Sequence, residues 1–318
     1  MAGCGEFDLI RQYLTGLGAD RGDVTYGVGD DAAITRPPAS MPAVLALDTL
    51  VSGVHFPQDL PAAAVGYRAL AVNLSDMAAM GATPAWALLG LTLPASDTDW
   101  VAAFAGGLDR LARLNNVAVV GGDITRGPLT ISLQITGFSP APLRRDGARP
   151  GDRVWVSGRP GDAAGGLAVW QSAHRETPRW QGLVRAFTEP RPRIALGQAL
   201  RGIASAVIDV SDGVLADAGH IAEASQVALQ LDPAALQPSA RLRAWAGAAA
   251  GQDLTLAGGD DYELLFTAPD EAGPVIGQVA GQTRTPVRCI GRVVRGAGVD
   301  WGGQSADAAA RGGYRHFD

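Results

Sequence analysis

Between residues 62 and 80 the chain is apolar almost throughout; Arg68, Asn73, Ser75 and Asp76 break the run. That length predicts a helix over 61–80, with Pro61 in its first turn, where a missing N–H costs nothing. At 100° per residue, Arg68, Asn73 and Asp76 fall within a sector of roughly 140°. A helix apolar on its other faces is buried, so this sector must face something polar. A buried carboxylate needs a cation or a fork of donors beside it.

The same reading predicts helices over 6–17 and 100–114, and strands over 43–47, 86–93 and 117–120. Residues 43–47 read as a short buried strand. Residues 129–138 alternate, as a strand with one covered face should. A Pro- and Arg-rich stretch over 140–150 marks a boundary. Beyond it, strands (154–157, 206–208, 227–231, 263–267, 287–290) alternate with helices (163–171, 193–202, 214–224, 271–281). The fold class is α/β with mixed (α+β) sheets, in two domains, 1–140 and 141–318. A chain of 318 residues suits two domains of about 150 residues each.

Composition narrows the chemistry. Net charge is −6 and no basic run occurs, so no nucleic-acid partner is expected. All 26 basic residues are arginine. Without lysine there is neither a Walker P-loop nor a pyridoxal Schiff base. Cys4 and Cys289 are the only cysteines, too few for a disulfide framework or a Cys-rich zinc site. The N-terminus is no signal peptide and no apolar run is long enough to span a membrane, so a cytoplasmic protein is expected.

The acids are placed suggestively. Asp48, Asp123 and Asp209 each follow an apolar run. Ligands of α/β sheets collect at the carboxyl ends of strands. One such Asp reads as a helix cap; three suggest a shared site. Asp30 and Asp31 lie in Gly27-Val28-Gly29-Asp30-Asp31-Ala32. This mimics a dinucleotide fingerprint, but paired acids would repel a pyrophosphate. Acid beside phosphate requires cations between them, and oxygen ligands without His or Cys clusters select Mg²⁺. The residues alone therefore suggest metal-dependent phosphoryl chemistry without a P-loop.

Eight motifs carry a resemblance. They are Glu6-Phe7-x-Leu9-Ile10, Gly29-Asp30-Asp31-Ala32-Ala33, Asp48-Thr49-Leu50-Val51-x-Gly53-Val54-His55-Phe56, the stretch from Ala71 to Ala82 around Asn73-Leu74-Ser75-Asp76, Gly121-Gly122-Asp123, Gly147-Ala148-x-Pro150-Gly151-Asp152, Asp209-Val210-Ser211-Asp212-Gly213 and Asp261-Tyr262-Glu263-Leu264. In this order and spacing they resemble the thiamine-monophosphate kinases, from Glu6 to about Phe317. The resemblance implies the two-domain aminoimidazole ribonucleotide synthetase-like fold, whose N-terminal domains pair as a homodimer. It implies ATP-dependent phosphorylation of thiamine monophosphate to thiamine diphosphate. Asp30, Asp48, Asp76, Asp123, Asp209 and Asp212 would bind several Mg²⁺ ions. Gly122, Asp123, Arg145 and Ser211 would contact ATP. His55, Asp260 and Tyr314 would contact the substrate. Asp260 departs from the family's Glu, and Ala46 and Leu47 stand where the family often has hydroxyl residues. A hydroxyl at 47 would help to hold a metal near Asp48.

No residue is assigned as general base. The acceptor is a phosphate oxygen, largely ionised at neutral pH because its second pKa lies near about 6. Catalysis then rests on in-line alignment and on offsetting repulsion between two polyanions. A selenophosphate synthetase-like enzyme would need a lysine that this chain lacks. A two-metal phosphohydrolase would release phosphate without ATP, and a non-catalytic module would bind ATP without turnover.

Overall fold

The computed structural model describes residues 5–302 and 304–306. The chain divides into two compact units. The first runs to Pro140 apart from Ala78–Gly81; the second begins at Ala141 and takes in Ala78–Gly81.

The first unit opens with α1 (Glu6–Leu9), which runs into a π-helical turn, Ile10–Leu14. The helix expected over 6–17 is therefore cut short by Thr15, whose backbone is extended. A two-strand ribbon, β1 (Val24–Tyr26) and β2 (Ile34–Thr35), follows. The main sheet holds β3 (Ala43–Val51), β4 (Thr83–Leu93), β5 (Ala118–Arg126) and β6 (Thr130–Phe138), in the order β3-β6-β4-β5. Its pairs are antiparallel except β4 with β5. The helices are α2 (Ala62–Ala79) and α3 (Thr98–Leu114).

The core draws on both. Leu70, Leu74 and Met77 from α2, Phe104 and Leu108 from α3, and Leu91, Ile131, Leu133 and Ile135 from the sheet are all fully buried. Each such side chain contributes about 1.5–3 kcal/mol. The Met77 sulfur would lie 2.8 Å from a Cβ added at Gly137, so α2 rests on β6. A Cβ at Gly107 would lie 1.9 Å from the Ala63 carbonyl oxygen, and one at Gly66 would lie 2.0 Å from that of Phe104. Glycine at both positions lets the α2 and α3 backbones touch.

Two expectations change here. Residues 43–47 are not wholly buried: β3 is an edge strand with Val44 and Leu50 inside and Leu45 and Leu47 at 67% and 62% exposure. Neighbouring side chains leave a strand on opposite faces. Leu47 therefore stands on the open face and Asp48 on the other, so a hydroxyl at 47 would not point where the Asp48 carboxylate points. Second, Asp48 and Asp123 do not end their strands. The β3–β6 ladder continues to Val51 opposite Thr130, and β4–β5 to Leu93 opposite Arg126. The partner strand keeps offering N–H and C=O groups after the apolar run stops, and these hold the polar residues in the ladder.

The second unit is a seven-stranded sheet in the order β13-β12-β9-β11-β7-β10-β8. Its strands are β7 (Arg153–Ser157), β8 (Ala206–Asp209), β9 (Ala228–Leu231), β10 (Leu264–Ala268), β11 (Val287–Val294), β12 (Gly298–Trp301) and β13 (Gln304–Ala306). Only β12 with β9 is a parallel pair. The helices are α4 (Asp162–Trp170), α5 (Gln181–Thr188), α6 (Ile194–Ala199), α7 (Val214–Ser225), α8 (Ala240–Ala246), α9 (Ala248–Ala257) and α10 (Gly273–Gln282).

Ile208 and Leu265 pack with Val214, Leu215 and Ile221 of α7. Val207, Leu264 and Phe266 pack in one cluster with Leu196 and Leu200 and with Ile276 of α10. Helices on both faces explain why every residue of β8 and β10 is buried. The pattern did not reveal α8 and α9. They are short, and Gly247, at φ +82°, separates them. Among the described residues no helix is long and apolar enough to cross a membrane.

Candidate active site

The first unit holds a cavity of about 1000 Å³. Asp30, Asp31 and Asp123 line it, with Gly27, Gly29, Gly121 and Gly122. Trp86, Leu88, Gln134 and Thr136 contribute the sheet side. Asp30 and Asp123 are exposed, and Asp30 Oδ1 accepts the Asp31 N–H at 2.8 Å. Gly122 has φ +150°, and a Cβ there would sit 1.9 Å from the Leu89 carbonyl oxygen. Only glycine fits, and its backbone is left bare beside Asp123. Three sequence-predicted residues, Asp30, Gly122 and Asp123, thus share one cavity.

Asp48 on β3 and Asp76 on α2 are half-buried members of the same unit that do not line this cavity. The polar sector of α2 is real: Arg68 and Asn73 are fully buried, and Asn73 Nδ2 donates to the Ala69 carbonyl at 3.0 Å. His55 follows β3 and is half-buried. Its Nδ1 accepts the Val51 N–H at 2.8 Å, which places the neutral ring's proton on Nε2.

The second unit carries the other predicted residues. Asp209 closes β8 at 9% exposure. Ser211 and Asp212 follow in a loop held by a residue that sequence reasoning missed. Asp217, 1% exposed on α7, accepts the N–H groups of Ser211 and Asp212, both at 3.1 Å. The signal was an acid at 217 inside the otherwise apolar start of a helix. Ligand atoms of Asp212, Asp217 and His220 lie within 4.8 Å of one another, a spacing that could hold a cation. Asp260 and Tyr262 are left-handed, at φ +63° and +53°. Their N–H groups donate to the carbonyls of Ser211 (2.7 Å) and Val210 (2.9 Å). The Asp260 and Ser211 loops are therefore stitched together. Strained backbone of this kind clusters at functional sites. Arg145 is exposed, and its carbonyl accepts the Ser225 hydroxyl at 3.0 Å. Tyr314 lies outside the described residues.

Burial, followed by the charges of Asp209 and Asp212, pushes the Asp217 carboxyl up to about 8. The usual value is 3.8, so between the two the folded chain keeps a proton that the unfolded chain releases. This contribution to stability is complete below 3.8 and is lost as pH rises through about 8. In EDTA, urea midpoints should fall between pH 5 and 8 by up to about 1.4 kcal/mol of stability per pH unit. Asp217→Asn should flatten that slope. Parallel slopes for parent and variant would mean that Asp217 titrates as an ordinary carboxylate.

The donors suit Mg²⁺. The cavity's acids, Asp30, Asp31 and Asp123, offer oxygen only, the donor type that Mg²⁺ takes.

Residues 29–139 match the family "AIR synthase related protein, N-terminal domain", and residues 149–301 match its C-terminal counterpart. The chain is 44% identical to the thiamine-monophosphate kinase of Salmonella typhimurium over 294 residues, 91% of this chain and 90% of that one. Its fold is similar to the crystal structure of thiamine-monophosphate kinase from Stenotrophomonas maltophilia K279a, with TM-score 0.87 and 44% identity over 94% and 96% of the two chains. It is also similar to AaThiL complexed with AMPPCP and TMP, with TM-score 0.79 and 33% identity over 89% of each chain.

Proposed function

The chain belongs to the thiamine-monophosphate kinase family, built on the AIR synthase related fold, and from that premise we propose how its residues divide the work. The reaction is ATP-dependent phosphorylation of thiamine monophosphate, giving thiamine diphosphate and ADP. The observation that carries the assignment is the first-unit cavity, in which the bare Gly122 backbone lies beside Asp123 and shares the lining with Asp30 and Asp31.

The nucleotide phosphates approach along Gly121–Gly122, where no side chain stands in the way. Asp30, Asp48, Asp76 and Asp123 in the first unit, and Asp209 and Asp212 in the second, are the ligands for several Mg²⁺ ions. Bound Mg²⁺ offsets the charge of two polyanions and absorbs charge that develops during transfer. Ser211 and Arg145 contact ATP. His55, whose Nδ1 accepts the Val51 N–H, contacts the substrate. Asp260, fixed by its N–H bond to Ser211, contacts the substrate, as does Tyr314. Asp217 orients Ser211 and Asp212 through their backbone N–H groups. No side chain needs to remove a proton, because the attacking phosphate oxygen is already ionised. The enzyme works as a homodimer joined through the open face of the first-unit sheet, where Leu45, Leu47 and Leu88 are exposed.

Purified protein with ATP, Mg²⁺ and thiamine monophosphate should yield one ADP per thiamine diphosphate, and EDTA should stop the reaction. Free thiamine should be a poor acceptor, because it lacks an anionic oxygen for the metals to grip. Chromatography of the products decides. Equal phosphorylation of free thiamine would overturn the metal-clamped phosphate reading.

A further inference from the structure

The second unit contains a separate cavity of about 500 Å³, a size typical of small-ligand pockets. Arg159, Arg185, Arg191 and Arg241 stand around it, all exposed. None of the four forms an ion pair among the described residues. Four acids also line it, Asp162, Glu189, Asp261 and Glu263, and each has a partner of its own. Glu263 is gripped by Arg193 through Nε at 2.7 Å and Nη2 at 2.5 Å, and it also accepts the Ser157 hydroxyl. Asp261 accepts the N–H groups of Gly161 (2.7 Å) and Ala163 (3.2 Å) at the start of α4. Asp162 accepts the Ser239 hydroxyl at 2.5 Å. Burial pushes the carboxyls of both Asp162 and Asp261 up, which weakens the negative charge they bring to the cavity. The positive field is felt nearby: after burial, Arg159 is the next cause that holds Arg288 below the usual guanidinium range.

A chain of net charge −6 has thus gathered four unpaired guanidinium groups around one pocket. Like charges at close quarters repel, and an anion between them turns that repulsion into attraction. Guanidinium forks match phosphate oxygens two at a time, and several forks at once suit an anion with more than one phosphate. We propose that this cavity binds the diphosphate group of a small molecule, without metal. Two sources share that chemistry in this enzyme's own reaction: the vitamin diphosphate it makes and the ADP it releases. The choice between these sources rests on the phosphorylation reaction; the binding itself does not.

The test is calorimetric titration of the full chain in EDTA, which silences sites that need Mg²⁺. Inorganic pyrophosphate should bind once per chain. Arg185→Ala and Arg241→Ala should each weaken it by roughly tenfold or more, the worth of a charge-assisted bond. Both side chains are exposed, and thermal unfolding should show that the variants keep the parent's fold. Arg185→Lys should recover part of the loss, since it restores charge but not the fork. Asp76→Asn should bind as the parent does. The tighter of thiamine diphosphate and ADP in the same titration identifies the source. The proposal fails if the parent does not bind in EDTA, if the arginine variants bind equally well, or if Asp76→Asn loses binding. Orthophosphate binding as tightly as pyrophosphate would likewise overturn the diphosphate assignment.

Discussion

Asp76→Asn should cut kcat by about 10²-fold or more while leaving the fold intact, as removal of an electrostatic stabiliser does elsewhere. The expectation comes from where α2 puts this residue. Residues 69–75 of the helix are all buried, and Asp76 alone among its neighbours stays partly open. Arg68 and Asn73, the other members of its polar sector, are sealed in the core at 1% and 0% exposure. Asp76 is therefore the member of that sector able to reach a ligand. The amide keeps the shape and loses the charge proposed to hold Mg²⁺. Steady-state rates across a magnesium titration, with circular dichroism to follow the fold, measure the effect. A folded variant with near-normal turnover would make Asp76 a structural ion-pair residue.

Leu45→Asp combined with Leu47→Asp should convert the proposed homodimer into monomers. Large exposed apolar side chains that share a face mark interaction surfaces. Leu45 and Leu47 share the open face of β3, and Leu88 of β4 is exposed at 43%. A two-fold interface would bring this face against its own copy, so each substitution would place two carboxylates in contact with apolar surface. Neither leucine enters the core, so the monomer should keep its fold. Sedimentation or light scattering reports mass, and thermal unfolding reports the fold. If the double variant remains a dimer, the open face is not the interface. The same exposure changes what Leu47→Thr should do. A buried leucine there would lose about 1–3 kcal/mol of methyl burial. With Leu47 at 62% exposure that cost disappears, and the new hydroxyl would join Thr49 and Ser132 rather than Asp48.

Local patterns were enough for much of this protein. The long helix at 62–79, its polar sector, and the strands around 86–93 and 129–138 could be read within a few turns or pleats, because amphipathic period is a property of neighbours in sequence. The lack of lysine excluded whole mechanisms without any structure. The ordered motifs carried the family. The family comparison agreed, with 44% identity over 91% of the chain.

Tertiary structure alone decided the remainder. Where β3 and β5 stop depends on the partner strands that keep offering hydrogen bonds. That Leu45 and Leu47 face outward depends on β3 being an edge strand with one uncovered face. The hold of Asp217 on the Ser211 loop is short in sequence, but it exists only because α7 turns its acid back under the end of β8. The second-unit cavity is the clearest case. Glu263 meets Arg193 across 70 residues and Gly161 meets Asp261 across 100. Along the chain the arginines around them look like scattered surface charge. They become a site only where the end of β7, α5 and the start of α8 bring them to one pocket, since electrostatic fields sum over distance in space and not over separation in sequence.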